Sequence, residues 1–378
     1  MKRLSRLDDS PFARLWWSID RPSLAILSLI IVIGFVVLMA AGPSAAARIS
    51  GVGEFHFPVR QLIFLAPTLF LIMALSFLTP LQARRLGVIV FFGALFGMLL
   101  VLLFSGEVNG AKRWLYLGGF SLQPSEFAKP GFVIAAAWML AEGARDPKFP
   151  GGAVAIGLYG LFAMLLLLQP DFGQWALVTA VWAVMFFVAG WSWLWIAALG
   201  VTSMGALAAG YVFSDHVAAR VDGFLKPGAT ETYQVDRAVE TIANGGLIGR
   251  GDAASMKGAL PDAHADFIFA VAGEEFGFML AVFIILLFAI FTGRVMAVAA
   301  GLKSVFAQCA VTGLAALIGF QAIINIGVSL RALPAKGMTL PFISYGGSSL
   351  LATGLTVGLI FALTRTHQGV FRRKDIMP

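Results

Sequence analysis

The chain has 378 residues and is 59% hydrophobic but only 12% charged, roughly half the charged share of an ordinary soluble domain, which is about 25%. So apolar a chain cannot keep its surface in water, which excludes a free-standing soluble enzyme and makes lipid its main solvent. The formal net charge of +7 is no argument for nucleic acid, because excess Lys and Arg gather at cytoplasmic loops and anionic head groups in membrane proteins.

Residues 1–22 are polar and basic and read as a cytoplasmic N-terminal segment. The apolar run that follows, Ser23 to Ala41, is longer than the roughly 7–15 residues of a signal-peptide core. It reads as an uncleaved first span, although Pro43-Ser44-Ala45-Ala46-Ala47 imitates a cleavage site. Runs long enough to cross about 30 Å of hydrocarbon then recur near 62–78, 86–104, 126–141, 152–168, 174–190, 193–213, 267–291, 305–328 and 348–364. The fourth of the ten is the weakest, since Pro130 and Gly131 interrupt it. Lipid offers no hydrogen bonds to the backbone, so these runs must be helical, and no strand alternation suggests a barrel. The expected fold is all-α: a polytopic membrane domain of ten transmembrane helices over 23–364, with a cytoplasmic tail over 365–378.

Basic residues set the orientation. With the N-terminus in the cytoplasm, 15 of the 27 Lys and Arg fall in inside segments, five in one long outer loop and seven in short outer segments. Both termini are therefore expected inside. The long extracytoplasmic loop, about 214–265, lies between spans seven and eight. Val235, Val239 and Ile242 recur there at helical spacing before Asn244-Gly245-Gly246, which predicts a short amphipathic helix on the membrane surface, stopped by glycine.

Charges at a membrane edge are expensive and point to function. Here they collect on the outer side: Lys112-Arg113, Gln123-Pro124-Ser125-Glu126, Lys129, Gln169-Pro170-Asp171, His264-Ala265-Asp266, and Arg331 to Lys336 leading to Gly346-Gly347-Ser348-Ser349. Spans four, six, eight and ten begin on that side. Helix N-termini carry free N–H groups and about half a positive charge. With Arg113, Lys336, Lys129 and Arg331, this face suits a diphosphate, with Ser348 and Ser349 opening span ten as a backbone site with a serine cap. An ordinary helix start would account for the same serines.

Asp266 is the sharpest carboxylate. It precedes Phe267-Ile268-Phe269, where desolvation would raise its pKa and fit it to take a proton from a sugar hydroxyl; the bland alternative is a helix N-cap. Glu274 lies about 12 Å deeper along the helix, and structural pairing is the expected role of Glu274 and Glu275. Gln321 and Asn325 share one face of span nine and read either as substrate contacts or as helix-to-helix hydrogen bonds. Cys309 is the one cysteine and reads as core. It leaves no disulfide or Cys-rich metal site, and the four histidines lack metal-ligand spacing. No Walker sequence or convincing dinucleotide fingerprint is present, so a sugar donor would arrive on a lipid.

Gly110-Ala111-Lys112-Arg113-Trp114, Gln123-Pro124-Ser125-Glu126, Gln169-Pro170-Asp171-Phe172-Gly173, His264 to Ala270 with Gly273-Glu274-Glu275, and Pro341 to Ser349 together resemble the SEDS family (shape, elongation, division and sporulation), bacterial peptidoglycan polymerases. Each piece alone is weak; five in family order across ten spans are specific. Pro334 to Pro341, with lysine at 336, and the basic N-terminal segment resemble the division branch more than the elongation branch. Ala265 departs from the family, which often has threonine there.

The resemblance implies an inner-membrane glycosyltransferase that polymerises lipid II into β-1,4-linked glycan at the division septum, with Asp266 as its catalytic carboxylate. It also implies a class B penicillin-binding protein as partner, beside other division proteins. Arg113 and Lys336 would bind the leaving diphosphate, with Gln123, Glu126 and Asp171 ordering those cations or the sugar. A divalent cation such as Mg is the one cofactor this chemistry leaves open. The competing expectations are a lipid II flippase, whose polar path would run through Glu274, Glu275, Gln321 and Asn325, the elongation polymerase, and a non-catalytic division scaffold.

Overall fold

The computed structural model describes residues 10–107, 112–117, 120–213, 218, 222, 233–251, 254–334 and 337–365. Lys336, and most of the loop between 214 and 232, lie outside the described residues.

A short helix α1 (Pro11–Ser18) leads into α2 (Arg21–Ala46), α3 (His56–Ser76) and α4 (Pro80–Phe104). Next come a small antiparallel hairpin, β1 (Leu115–Leu117) and β2 (Phe120–Leu122), and the helices α5 (Pro124–Arg145), α6 (Gly151–Leu168), α7 (Phe172–Val188) and α8 (Trp193–Phe213). Helix α9 (Tyr233–Gly245) and a 3-10 turn (Met256–Ala259) precede α10 (Ile268–Ala300), α11 (Val305–Ser329) and α12 (Gly347–Thr364). All ten expected spans are helices, and the chain is a multi-pass membrane protein. Among the described residues, eight of these helices are long and apolar enough to cross a bilayer. Helix α7 is shorter, and α5 carries Glu126, Lys129, Glu142 and Arg145.

Side chains fix several helix starts. Asp20 accepts the Ser23 N–H at the head of α2, Thr79 and Gln82 form a capping box on α4, and Ser304 caps α11. The bundle is layered by exposure. Helices α11 and α12 are buried over most of their length and form its centre, while α2, α3, α4 and α6 turn most of their surface to lipid. Helix α5 packs on α4, α6 and α11, and α12 packs on α3 and α11. Cys309, on α11, is fully buried core.

Helix α9 differs from its expected setting. Its Val235, Ala238, Thr241 and Gly245 are buried and it packs along α10; Val239 points away and is exposed. The amphipathic stripe therefore seats on protein instead of floating on lipid. Helix α10 is interrupted at Gly277, whose φ of 82° is open to glycine. The N–H groups that the break releases are taken by the turn after α9: Phe278 N donates to Gly246 O at 2.9 Å and Met279 N to Leu247 O at 3.2 Å. In return Arg250 N donates to Glu274 O at 2.8 Å. In lipid such groups must be satisfied internally, and this turn does so about 14 Å along the helix from its start.

Candidate active site

The alternation of helix directions brings the N-termini of α5, α7, α10 and α12 to one face, and named contacts join them. Gln123 N, before α5, donates to Ser348 Oγ in α12 at 3.2 Å, and Ser348 Oγ donates to Ser121 O in β2 at 3.0 Å. Thr339 and Ser349 hydroxyls are 2.5 Å apart. At the opposite face, Arg294 of α10 pairs with Asp20 at the head of α2.

Asp266 sits in the turn before α10. It does not cap that helix: the N-cap is Phe267, with no side-chain cap bond. Among the described residues its carboxylate has no hydrogen-bond or ion-pair partner. Burial, reinforced by the negative charge of Asp262, pushes the carboxyl up to about 7. The backbone of Gly337 lies against it, since a Cβ there would stand 3.0 Å from Oδ2. The His264 ring packs at a tilt against Phe57, centroids 4.0 Å apart, and lies 5.6 Å from the Tyr345 ring, and burial lowers its pKa.

Arg113 is anchored from α7's side. It donates to Gln169 O at 3.2 Å and Pro170 O at 2.5 Å, and lies 3.8 Å from Asp171 Oδ2. Asp171 in turn caps α7 by accepting Gln174 N. Burial raises the Asp171 pKa, and Arg113 opposes that rise. The guanidinium is thus held in place while part of it stays exposed.

Beneath this face lies a buried charged pair. Lys129 reaches both Glu126 oxygens, at 3.0 and 2.9 Å, and Gln321 Oε1 at 3.3 Å. Gln174 Nε2 donates to Glu126 at 2.6 Å. Lys129 and Glu126, expected near a ligand, are instead committed to each other, because a buried charge needs a partner.

Gln321 and Asn325, read as substrate contacts or as structural bonds, take the structural role. Gln321 Nε2 donates to Thr339 O at 3.0 Å, and Asn325 Nδ2 donates to Met338 O at 2.6 Å and Asp266 O at 2.8 Å. Ser348 and Ser349 are likewise bonded to protein, and α12 starts at Gly346 without a serine cap, which corrects that expectation. Glu274 accepts from Asn244 Nδ2, Met256 N and Lys257 N at 2.7 to 2.8 Å, and Glu275 pairs with Lys257. Both glutamates therefore stitch the loop to α10.

Sequence reasoning missed Gln174, Thr339 and Gly337 as site-building residues, and it took Ser344 and Tyr345 only as part of a motif. Among the described residues, no group of three or more His, Cys, Asp or Glu side chains is arranged to hold a metal ion.

Residues 21–369 match the family model for the FtsW, RodA and SpoVE proteins, described as cell cycle proteins. The chain is 42% identical over 368 residues to the probable peptidoglycan glycosyltransferase FtsW of Caulobacter vibrioides, covering 97% of this chain and 94% of that protein. A protein of the same name from Nitrosococcus halophilus is 38% identical over 279 residues, 70% of this chain and 71% of the relative. One solved chain comes from a peptidoglycan synthase complex described for its structural coordination of polymerization and crosslinking. It superposes with a TM-score of 0.77 at 30% identity, over 92% of this chain and 98% of that one. The rod shape determining protein RodA of Thermus thermophilus superposes at 0.68 and 29% identity, over 92% and 97%. With its fold shared along nearly the whole length and its motifs gathered on one face, the chain belongs to the FtsW, RodA and SpoVE family, the SEDS family that its five motifs resemble.

Proposed function

We propose that this protein is a peptidoglycan glycosyltransferase that polymerises lipid II during division, at the outer face of the cytoplasmic membrane, with both termini inside. The single observation that carries the catalytic assignment is Asp266: a carboxylate at the mouth of α10, desolvated, unpaired among the described residues and not used as a cap. Asp266 takes the proton from the acceptor sugar's 4-hydroxyl. The oxygen attacks the donor's anomeric carbon, the carbon–oxygen bond to the lipid diphosphate breaks, and the electron pair leaves on the diphosphate. One displacement inverts the α-linked donor to a β-linked product. Arg113 and Lys336 meet the charge that grows on the leaving group, and the helix N-termini add partial positive charge.

Division-type activity is supported by the lysine at 336 in the sequence and by relatives that carry the FtsW name. A class B penicillin-binding protein as cross-linking partner is supported by the complex from which one structural neighbour comes. The flippase reading is weakened by the commitments of Glu274, Glu275, Gln321 and Asn325, whose hydrogen bonds go to other protein groups.

The test is polymerisation of purified lipid II in detergent by this protein with its cross-linking partner, comparing wild type with Asp266→Ala. Glycan chains from wild type and none from the variant are expected. No chains from wild type under conditions where the partner is active would refute the enzyme reading.

A further inference from the structure

The residues that hold Asp266 form a clamp on three successive backbone oxygens. Tyr345 N donates to His264 O at 2.9 Å, Ser344 Oγ donates to Ala265 O at 2.6 Å, and Asn325 Nδ2 donates to Asp266 O at 2.8 Å. Inside a helix such oxygens would bond four residues ahead. Here α10's first turn is closed through Phe267 O, which accepts from Ala270 and Val271, and the three preceding oxygens turn to tertiary partners.

Each clamp residue is itself fixed at a second point. Ser344 Oγ accepts Leu340 N at 2.7 Å, and Asn325 Nδ2 also donates to Met338 O at 2.6 Å. Asn325 is 1% exposed and Ser344 4%, so neither opens toward a ligand. The segment they brace, 337–345, is the one that lies against the Asp266 carboxylate through Gly337.

We infer that Asn325 and Ser344 are positioning residues of the polymerisation site: they fix the backbone of 264–266 so that the Asp266 carboxylate retains only its own side-chain torsions as freedom. They do so without touching substrate. This rests on the reading of Asp266 as the base. A polar residue on a buried helix face and a serine in a loop are usually satisfied structural groups. What sets these two apart is that both donate to the same three-residue turn, from different elements, and each is tied back to the segment facing the carboxylate.

A loosened turn lets the carboxylate swing and admits water to it. Displacements near 1 Å at a reacting group can cost about a hundredfold in rate, and hydration returns a desolvated carboxyl toward its ordinary range. Among the described residues the charge acting on Asp266 is that of Asp262; His264, on the same turn, packs against Tyr345, and Arg60 is bonded to Tyr345. Neither substitution below alters them.

The experiment measures lipid II polymerisation by the purified protein with its partner, as kcat and KM across pH, together with melting temperature. Ser344→Ala and Asn325→Ser are compared with wild type, Ser344→Thr and Asp266→Asn. For both clamp variants we expect kcat to fall about tenfold to a hundredfold, KM to stay within about twofold, and the acid limb of the pH profile to move to lower pH. Ser344→Thr, which keeps the hydroxyl, should restore most of kcat. A fall in melting temperature alone would not move the acid limb, so that limb separates positioning from folding. Asn325→Ser carries the same readouts where Ser344→Ala does not fold. An unchanged kcat and acid limb in both variants, beside an inactive Asp266→Asn, would overturn the clamp alone. A raised KM at unchanged kcat would overturn it in favour of substrate contact. Full activity of Asp266→Asn would remove the reading on which it rests.

Discussion

The backbone of Gly337 forms one wall of the space around Asp266: a Cβ at 337 would stand 3.0 Å from the carboxylate's Oδ2. Gly337→Ala should therefore displace the carboxylate by a few tenths of an ångström while leaving the fold intact, because residue 337 is exposed and exposed substitutions usually change stability by less than about 0.5 kcal/mol. We expect roughly a tenfold loss of kcat with little change in melting temperature, read from initial rates of glycan formation.

Asp266→Asn keeps the side chain's shape and removes its basicity. Loss of a general base lowers rates by about 10²–10⁴. The variant should fold and bind its cross-linking partner as wild type does, which co-purification checks, while forming almost no glycan from lipid II.

Activity should depend on pH with a definite sign. A base works when ionised, and burial pushes the Asp266 carboxyl up to about 7. The value of kcat/KM should therefore climb as pH rises through about 7 and fall about tenfold per unit below it. An acid limb near the ordinary carboxylate value of about 4 would show that the group is solvated during turnover.

The Glu126–Lys129 pair should behave as a buried ion pair. Lys129→Met leaves Glu126 uncompensated, a loss of about 3–5 kcal/mol, and the double variant Glu126→Gln with Lys129→Met should recover most of it. Thermal unfolding in detergent for the four members of this cycle gives the answer. A loss in the double variant equal to the sum of the two single losses would mean that the pair is not coupled.

Glu274 should act as a fastener. Glu274→Gln faces three N–H donors with one oxygen and an NH₂ group, and the unmet donors cost about 1–3 kcal/mol. Hydrogen exchange over residues 244–257 should speed up in that variant while the centre of α11 stays protected.

Much of the architecture was legible because lipid imposes a one-dimensional rule: about 20 apolar residues in a row must be a helix. That rule placed ten helices, and the cost of charge at a membrane edge singled out Asp266 and Arg113. The small hairpin at Leu115–Leu117 and Phe120–Leu122 escaped because strands of three residues are too short to show alternation. The break at Gly277 escaped because a glycine in an apolar run looks like any other. The distant partners of Glu126, Lys129, Gln321 and Asn325 were also out of reach, since Gln174, Gln321, Thr339 and Asp266 meet them only across the fold.

Composition and motif order alone determined that this chain lives in lipid, winds through it as helices and belongs to the SEDS family. Tertiary structure decided which polar groups are free to react and which are consumed in holding others. Whether a buried carboxylate or amide is satisfied is a matter of distance to a second group, as Glu126 finds Gln174 and Asn325 finds the backbone of Asp266, and those distances exist only once the helices have packed.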